Sequence, residues 1–367
     1  MASHFGWIEL VTVSGAAREQ HTGRWPGVSH TELPGLGASL IDRVLCFRAC
    51  LERWLRGRQL AVVQFRSIFE GFPLLRLNPR PRLIFEVNGL PSIELKYRYP
   101  RVADDRELMA KLIAQEQACL ETADRIVTPS AVTRRYLSEI RGVDATKIRV
   151  IPNGVDTRLF APSSHRSRDR EGAELSLLYF GTLSQWQGVD LAVRALAQIA
   201  TQLPARLTIV GVGASRQREP ILALAGKLGV ADRLEILPPV SQEELVQAIQ
   251  RSHAVLAPLA INDRNVSQGC CPLKVLEGMA CGIPVIASDL QAVRELGEQG
   301  RHFLLVKPGS VDQITQAVLA LHGDPELWQR LSAASREHIV EHYTWERSGA
   351  ALVAVWEELG ISVASRV

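Results

Sequence analysis

Residues 269–287 read Gly-Cys-Cys-Pro-Leu-Lys-Val-Leu-Glu-Gly-Met-Ala-Cys-Gly-Ile-Pro-Val-Ile-Ala, and their punctuation predicts a helix leading into a strand. Pro272 suits the first helical turn, where its missing N–H costs nothing. Gly282 ends the helix and Pro284 opens the strand. Lys274 and Glu277 stand three residues apart, on one helical face near the N-terminus. A cation beside free N–H groups would hold a diphosphate, and the carboxylate would accept ribose hydroxyl protons. Elsewhere such a pair is an ordinary surface ion pair. The approach from Gln268 through Gly269 and the apolar helix behind favour the binding reading.

Working outward, short β-branched runs alternate with helical patterns. Candidate strands lie at 8–13, 62–65, 83–87, 125–128 and 148–151, then at 177–180, 207–210, 234–237, 255–257, 284–287 and 303–306. Most lack strict alternation, as strands buried on both faces of a parallel sheet do. Ser241 to Glu244 and Ser310 to Gln313 read as capping boxes, and Ser130 reads as a helix cap. The class is therefore α/β. The polar run 161–173, APSSHRSRDREGA, reads as a linker between two halves. Ligands of such sheets bind beyond the carboxyl ends of the strands, so two halves in series imply a cleft between them.

A length of 367 residues agrees with two domains. Lys plus Arg number 42 against 39 Asp plus Glu, a net charge of +3 that excludes a globally basic nucleic-acid binder. Six cysteines form no CxxC pair, which argues against zinc ribbons and thioredoxin-type redox chemistry. No apolar run approaches membrane-spanning length, and the opening MASHFGWIELVTVSG does not read as a signal peptide. The expected location is cytoplasmic.

Two further loops carry glycine. Gly181, Thr182 and the residues to Gln187 and Gly188 follow the strand LLYF and lead into a helix, a place for an anion or simply a tight turn. Gly211 and Gly213 look like part of a dinucleotide fingerprint. The third glycine is missing and the strand is internal, so a nicotinamide site is not expected.

Several stretches together resemble family 4 glycosyltransferases of the GT-B fold. They are ETADRIVTPSAVTRRYL (121–137), VIPNGVD (150–156), residues 181–190 and 207–213, LGVADRLEILPPVSQEELVQAIQRSHAVLAPL, KVLEGMACGIPVIASD, and YTWER at 343–347. The resemblance implies two Rossmann-like domains with an inter-domain cleft. These are an acceptor-side domain over 1–160, a nucleotide-sugar domain over 174–340, and a terminal helix over 341–360 that returns to the first. It implies transfer of a hexose from a nucleoside-diphosphate sugar, retaining and without a metal or other cofactor, to a glycan, lipid-linked or natural-product hydroxyl. Glu277 matches the family's ribose-binding glutamate. The family's hexose-binding glutamate falls at Gly269, in one turn with Cys270, Cys271 and Leu273. Its phosphate-binding Arg and Lys fall near Thr182 and Gln187, which leaves Lys274 as the nearest replacement cation and Arg264 as a weaker one. The family histidine falls at Asn88, and Asn88 and Ser130 are assigned to the acceptor side.

The front of the chain departs from that pattern. Trp7–Val13 reads as the second strand of such a domain, so the N-terminal domain is expected to lack its first βα unit, about 30–40 residues. A missing central strand would leave sheet edges unpaired. The segment from Arg43 to Arg82 holds nine arginines against two glutamates, with Phe47, Trp54, Phe65, Phe69 and Phe72 interleaved. On residues alone it is a solvated face over core aromatics; with the resemblance it is also a candidate for peripheral contact with the inner face of a membrane. The replaced site residues leave a second class open, a non-catalytic protein that binds nucleotide sugar or a partner. A sugar-nucleotide epimerase shares the architecture but lacks a Trp345-type closing motif.

Overall fold

The computed structural model describes residues 7–14, 27–163, 174–213 and 215–361. The expected linker falls outside the described residues from position 164 to 173. The first half runs β1 (Ile8–Ser14), β2 (Val28–Pro34), α1 (Leu40–Leu55), β3 (Val62–Phe65), α2 (Ile68–Leu74), β4 (Arg82–Glu86), α3 (Pro91–Arg98), α4 (Pro100–Ala103), α5 (Arg106–Thr122), β5 (Arg125–Thr128), α6 (Ala131–Arg135) and β6 (Ile148–Val150). The second runs β7 (Leu175–Thr182), α7 (Val189–Ile199), β8 (Ala205–Val212), α8 (Ser215–Lys227), β9 (Leu234–Leu237), α9 (Gln242–Arg251), β10 (Ala254–Ala257), α10 (Leu273–Ala280), β11 (Val285–Ser288), α11 (Gln291–Arg294), β12 (Leu304–Val306), α12 (Val311–Gly323), α13 (Pro325–His342) and α14 (Trp345–Glu357).

All pairings between these strands are parallel, as the continuous apolar runs predict. The second half forms one sheet in the order β12-β11-β10-β7-β8-β9. The chain leaves β7 toward β8 and β9, then crosses back to β10. The strand order therefore reverses between β7 and β10, which opens a crevice beyond their carboxyl ends. Leu177, Tyr179, Leu207 and Ile209 fill one face of this sheet; Leu178, Phe180, Val255, Val275 and Met279 fill the other.

The first half holds two ladders, β1-β2 and β3-β4-β5-β6. Among the described residues no ladder joins β1 to β3. Sequence reasoning missed β2, VSHTELP, because its polar residues hide it. Thr31 donates to Glu9 at 2.9 Å and His30 pairs with Thr12 at 2.7 Å, both contacts made only across the ladder. Most arginines of the 43–82 segment are engaged within the protein. Arg48 donates to Ile68 O, Phe69 O and Gln115, Arg58 lies 4.0 Å over Trp54, Arg66 meets Glu86, and Arg80 and Arg82 meet Asp124. Among the described residues no helix is long and apolar enough to cross a membrane.

Ser241 and Glu244 form the expected reciprocal box at the start of α9. The box expected at Ser310 is only half formed. Ser310 caps Gln313 N, but the Gln313 side chain accepts from Lys307 N at 2.7 Å instead of turning back to the cap.

The two halves meet along a short crossover. Val155 N donates to Tyr343 O at 2.9 Å, and Ser348 Oγ donates to Pro152 O at 2.8 Å. After that crossing α14 lies on the first half. Val355 packs with Ile84 and Val127, and Glu358 meets Arg125 and Arg149.

Candidate functional site

At the crevice between β7 and β10 the chain makes a close backbone approach. Gly188 has φ +65°, and a side chain there would place Cβ 1.8 Å from Pro258 O. This contact ties the loop after β7 to the loop after β10. Gly181, at φ +124°, takes a backbone conformation that favours glycine, and a Cβ there would stand in ordinary contact, 3.6 Å, with Lys274 Cε and Nζ.

Lys274 is 6% exposed. Pro272 takes the N-cap position of α10, so Lys274 sits in its first turn. Its Nζ donates to Gln187 Oε1 at 2.5 Å and lies 4.0 Å from the Tyr179 ring centroid. Burial pulls its pKa down to about 7. Burial also pushes the Glu277 carboxyl up to about 7, against the opposing pull of Lys274. A buried lysine in the first turn of a helix, with Glu277 one turn further on, forms a site whose charge an anionic ligand would complete.

The remaining predicted residues divide. Gln187 joins Lys274 directly. Thr182 lies at the exposed end of β7, and its carbonyl accepts the Tyr179 hydroxyl at 2.6 Å. Gly211 and Gly213 both face Leu183, with Cβ positions 2.7 and 2.9 Å from its methyls. Their missing side chains seat that leucine. Cys270 and Cys271 are buried and burial raises both thiol pKa values, Cys271 to about 12. Leu273 is exposed.

Gly269, at φ +82°, lies against the first half, where a Cβ would meet Ser130 Oγ and Val132 Cβ at 2.8 Å. The Ser130 hydroxyl already caps α6 by accepting from Thr133 N at 3.1 Å. Asn88 Nδ2 donates to Glu86 Oε1 at 2.6 Å. Arg264 faces Glu94 at 3.4 Å, and its guanidinium lies 5.9 Å from the Trp186 ring centroid.

Sequence reasoning missed the contacts that close this seam. Gln268 Oε1 accepts from Leu90 N at 2.9 Å, and Asn153 Nδ2 donates to Cys271 O at 2.8 Å. Glu295 accepts from Ala131 N and Val132 N at 2.8 and 3.2 Å. Lys96 and Tyr97 both donate to Asp263, and Tyr97 stands edge-on to Trp186 at 5.4 Å. These partners are far apart in sequence and mostly in irregular segments, so no periodicity announces them. Elsewhere an open polar cavity lies between Arg80, Asp124, Lys147 and Glu358, but Arg82–Asp124 and Arg125–Glu358 already match charges there.

Residues 8–159 match the family model described as Glycosyltransferase Family 4, and residues 174–324 match the one described as Glycosyl transferases group 1. The D-inositol 3-phosphate glycosyltransferase of Acidothermus cellulolyticus is 31% identical over 255 residues, 66% of this chain and 55% of that protein. The one from Geodermatophilus obscurus is 33% identical over 270 residues, 70% of this chain and 57% of that protein. The matched part thus spans little more than half the length of these relatives. Among solved structures, sucrose-phosphate synthase of Thermosynechococcus elongatus aligns with a TM-score of 0.80 at 20% identity, covering 96% of this chain and 88% of that one. HepE of Anabaena in complex with UDP-glucose aligns with a TM-score of 0.72 at 14% identity, covering 96% of this chain and 99% of that one. At these identities the likeness shows the fold alone.

Proposed function

We infer, from the premise that this chain belongs to the family 4 glycosyltransferases of group 1 and has their GT-B fold, that it transfers a hexosyl group from a nucleoside-diphosphate sugar to a hydroxyl acceptor. The observation that carries the reading is Lys274, a buried lysine whose Nζ donates to Gln187 at the switch point of the second sheet, with no carboxylate hydrogen-bond partner among the described residues, in the first turn of α10. The diphosphate lies against that helix start and the ammonium. Glu277 accepts from the ribose hydroxyls. The acceptor, a glycan or lipid-linked hydroxyl, enters from the first half past Asn88.

As the C1–O bond to the diphosphate breaks, negative charge grows on the leaving oxygen and is met by Lys274 and the helix N–H groups. The acceptor oxygen bonds to C1 from the same face, and its proton passes to the departing phosphate. This retaining course needs no side-chain base and takes its positive charge from the protein. The closed seam excludes water that would otherwise hydrolyse the donor.

A second reading, a binder without turnover, is favoured by one feature. Gly269 and the capped Ser130 leave no free polar side chain at their point of contact. Incubation with UDP-, GDP-, ADP- and dTDP-hexoses, with and without simple glycoside acceptors, separates the two. Consumption of one nucleotide class, lost in Glu277→Ala, is expected. Tight binding without any consumption would establish the second reading, and no binding at all would overturn both.

A further inference from the structure

The Lys274 ammonium rests on two uncharged groups of the second half. Gln187 Oε1 accepts from Nζ at 2.5 Å, and the Tyr179 ring centroid lies 4.0 Å away. An ammonium only donates, so the Gln187 amide must present its oxygen and turn its N–H groups away. Tyr179 is fully buried and its hydroxyl donates to Thr182 O at 2.6 Å, which fixes the ring.

The backbone on either side of Gln187 is fastened. Trp186 O accepts from Ala260 N at 3.0 Å and from Asn265 Nδ2 at 2.7 Å. Gln187 N donates to Ser184 O at 2.9 Å, and Gly188 lies close against Pro258 O. The amide thus reaches the ammonium from a turn bonded to the loop after β10. The other titratable groups facing Lys274 are Glu277 on its own helix, the Cys270 thiol before that helix and the Tyr179 hydroxyl on β7. Burial raises the pKa of all three, which favours their neutral forms. Among the described residues Gln187 is therefore the hydrogen-bond acceptor that offsets the burial of the ammonium.

We propose that Gln187 is a positioning residue for the sugar donor: its oxygen holds the Lys274 ammonium in place and in its charged form, ready for the diphosphate. The inference rests on the donor site proposed above, in which Lys274 meets that diphosphate. A hydrogen bond to the charged form of a buried group favours that form, and a full opposite charge favours it more. Changing the side chain at 187 therefore shifts the titration of the ammonium in a direction set by the new group.

The test is calorimetric titration with UDP-glucose, GDP-mannose, ADP-glucose and dTDP-glucose, and then, with whichever binds, across about pH 5.5 to 8.5. The diphosphate of a nucleotide sugar does not titrate in that range, so a fall in affinity toward alkaline pH reports loss of the ammonium's proton. Lys274→Met should abolish that fall and so assigns it. Gln187→Met, which removes the acceptor and keeps the shape, should move the onset of the fall down by about one pH unit. Gln187→Leu takes its place if that variant does not fold. Gln187→Glu, which supplies a carboxylate, should move the onset up by about one pH unit or more. It should also weaken binding at pH 6 about tenfold, because the diphosphate then meets an ammonium already paired. A merely structural role would loosen the crevice, admit water and move both onsets up. Onsets that stay put, or that move the same way, in folded variants would overturn the proposal. No nucleotide sugar bound by the wild type, or a fall that persists in Lys274→Met, would instead strike the donor site, and this inference with it.

Discussion

Lys274→Met is expected to weaken binding of the nucleoside-diphosphate sugar by about a hundredfold or more while leaving the fold at least as stable. The ammonium occupies a dry position, bonded to a glutamine oxygen and facing an aromatic ring. Burial lowers its pKa to about 7. In the free protein that charge is a burden, because a diphosphate is needed to complete it. Methionine keeps the length and apolar stem of the side chain, fills the same volume and removes the charge. The lost interaction is a charge-assisted one in a desolvated crevice, worth about 3 kcal/mol.

The stability effect has a sign that depends on pH. The lysine is protonated in the unfolded chain up to its ordinary value of 10.5, and in the folded chain only up to about 7. Between those values the unfolded state binds more protons, so wild-type stability gains as pH rises. The advantage of the methionine variant is therefore greatest below pH 7 and shrinks toward pH 10. Thermal melts across that range, beside calorimetry of donor binding, check both parts. Unchanged donor affinity in a folded variant would place the diphosphate elsewhere.

Gly188→Ala should be the most damaging single methyl group that can be added near the site. The new Cβ would stand 1.8 Å from Pro258 O, and φ is +65°. Relief requires prising the loop after β7 from the loop after β10, which opens the crevice and unseats Trp186 and Gln187. A loss of about 4 kcal/mol or more is expected, against about 1 kcal/mol for the left-handed backbone alone. Gly229→Ala supplies the comparison, since Gly229 has φ +70° but nothing within 4 Å of its added Cβ. Denaturant melts of the two variants should differ by about 3 kcal/mol. Similar losses would mean that the Gly188 contact yields easily.

The second sheet was the most legible part of the chain. Runs such as 177–180 and 207–210 are short, mostly apolar and bounded by glycine or polar turns. The strand β2 was not legible because its pairing with β1 rests on cross-strand hydrogen bonds that no local pattern reveals. The Lys274–Glu277 spacing placed both residues in one turn region correctly, since helix geometry fixes it. Glycine was ambiguous. Gly181 serves a backbone angle that favours glycine and Gly188 a backbone contact, while Gly211 and Gly213, which look most like a nucleotide loop, only seat Leu183. Trp186, Asn265 and Gln268 join the seam through contacts between segments far apart in sequence, which no local pattern reveals.

The central claim is that Lys274 and Glu277 grip a diphosphate, and proton-linked calorimetry tests it most directly. The nucleotide sugar consumed most readily is titrated at pH 8 in two buffers of different ionisation heat. At that pH a lysine with a pKa near 7 is mostly neutral and Glu277 is mostly ionised. The account predicts uptake of about one proton on binding, because the diphosphate restores the ammonium. Binding heats that are identical in the two buffers would contradict it.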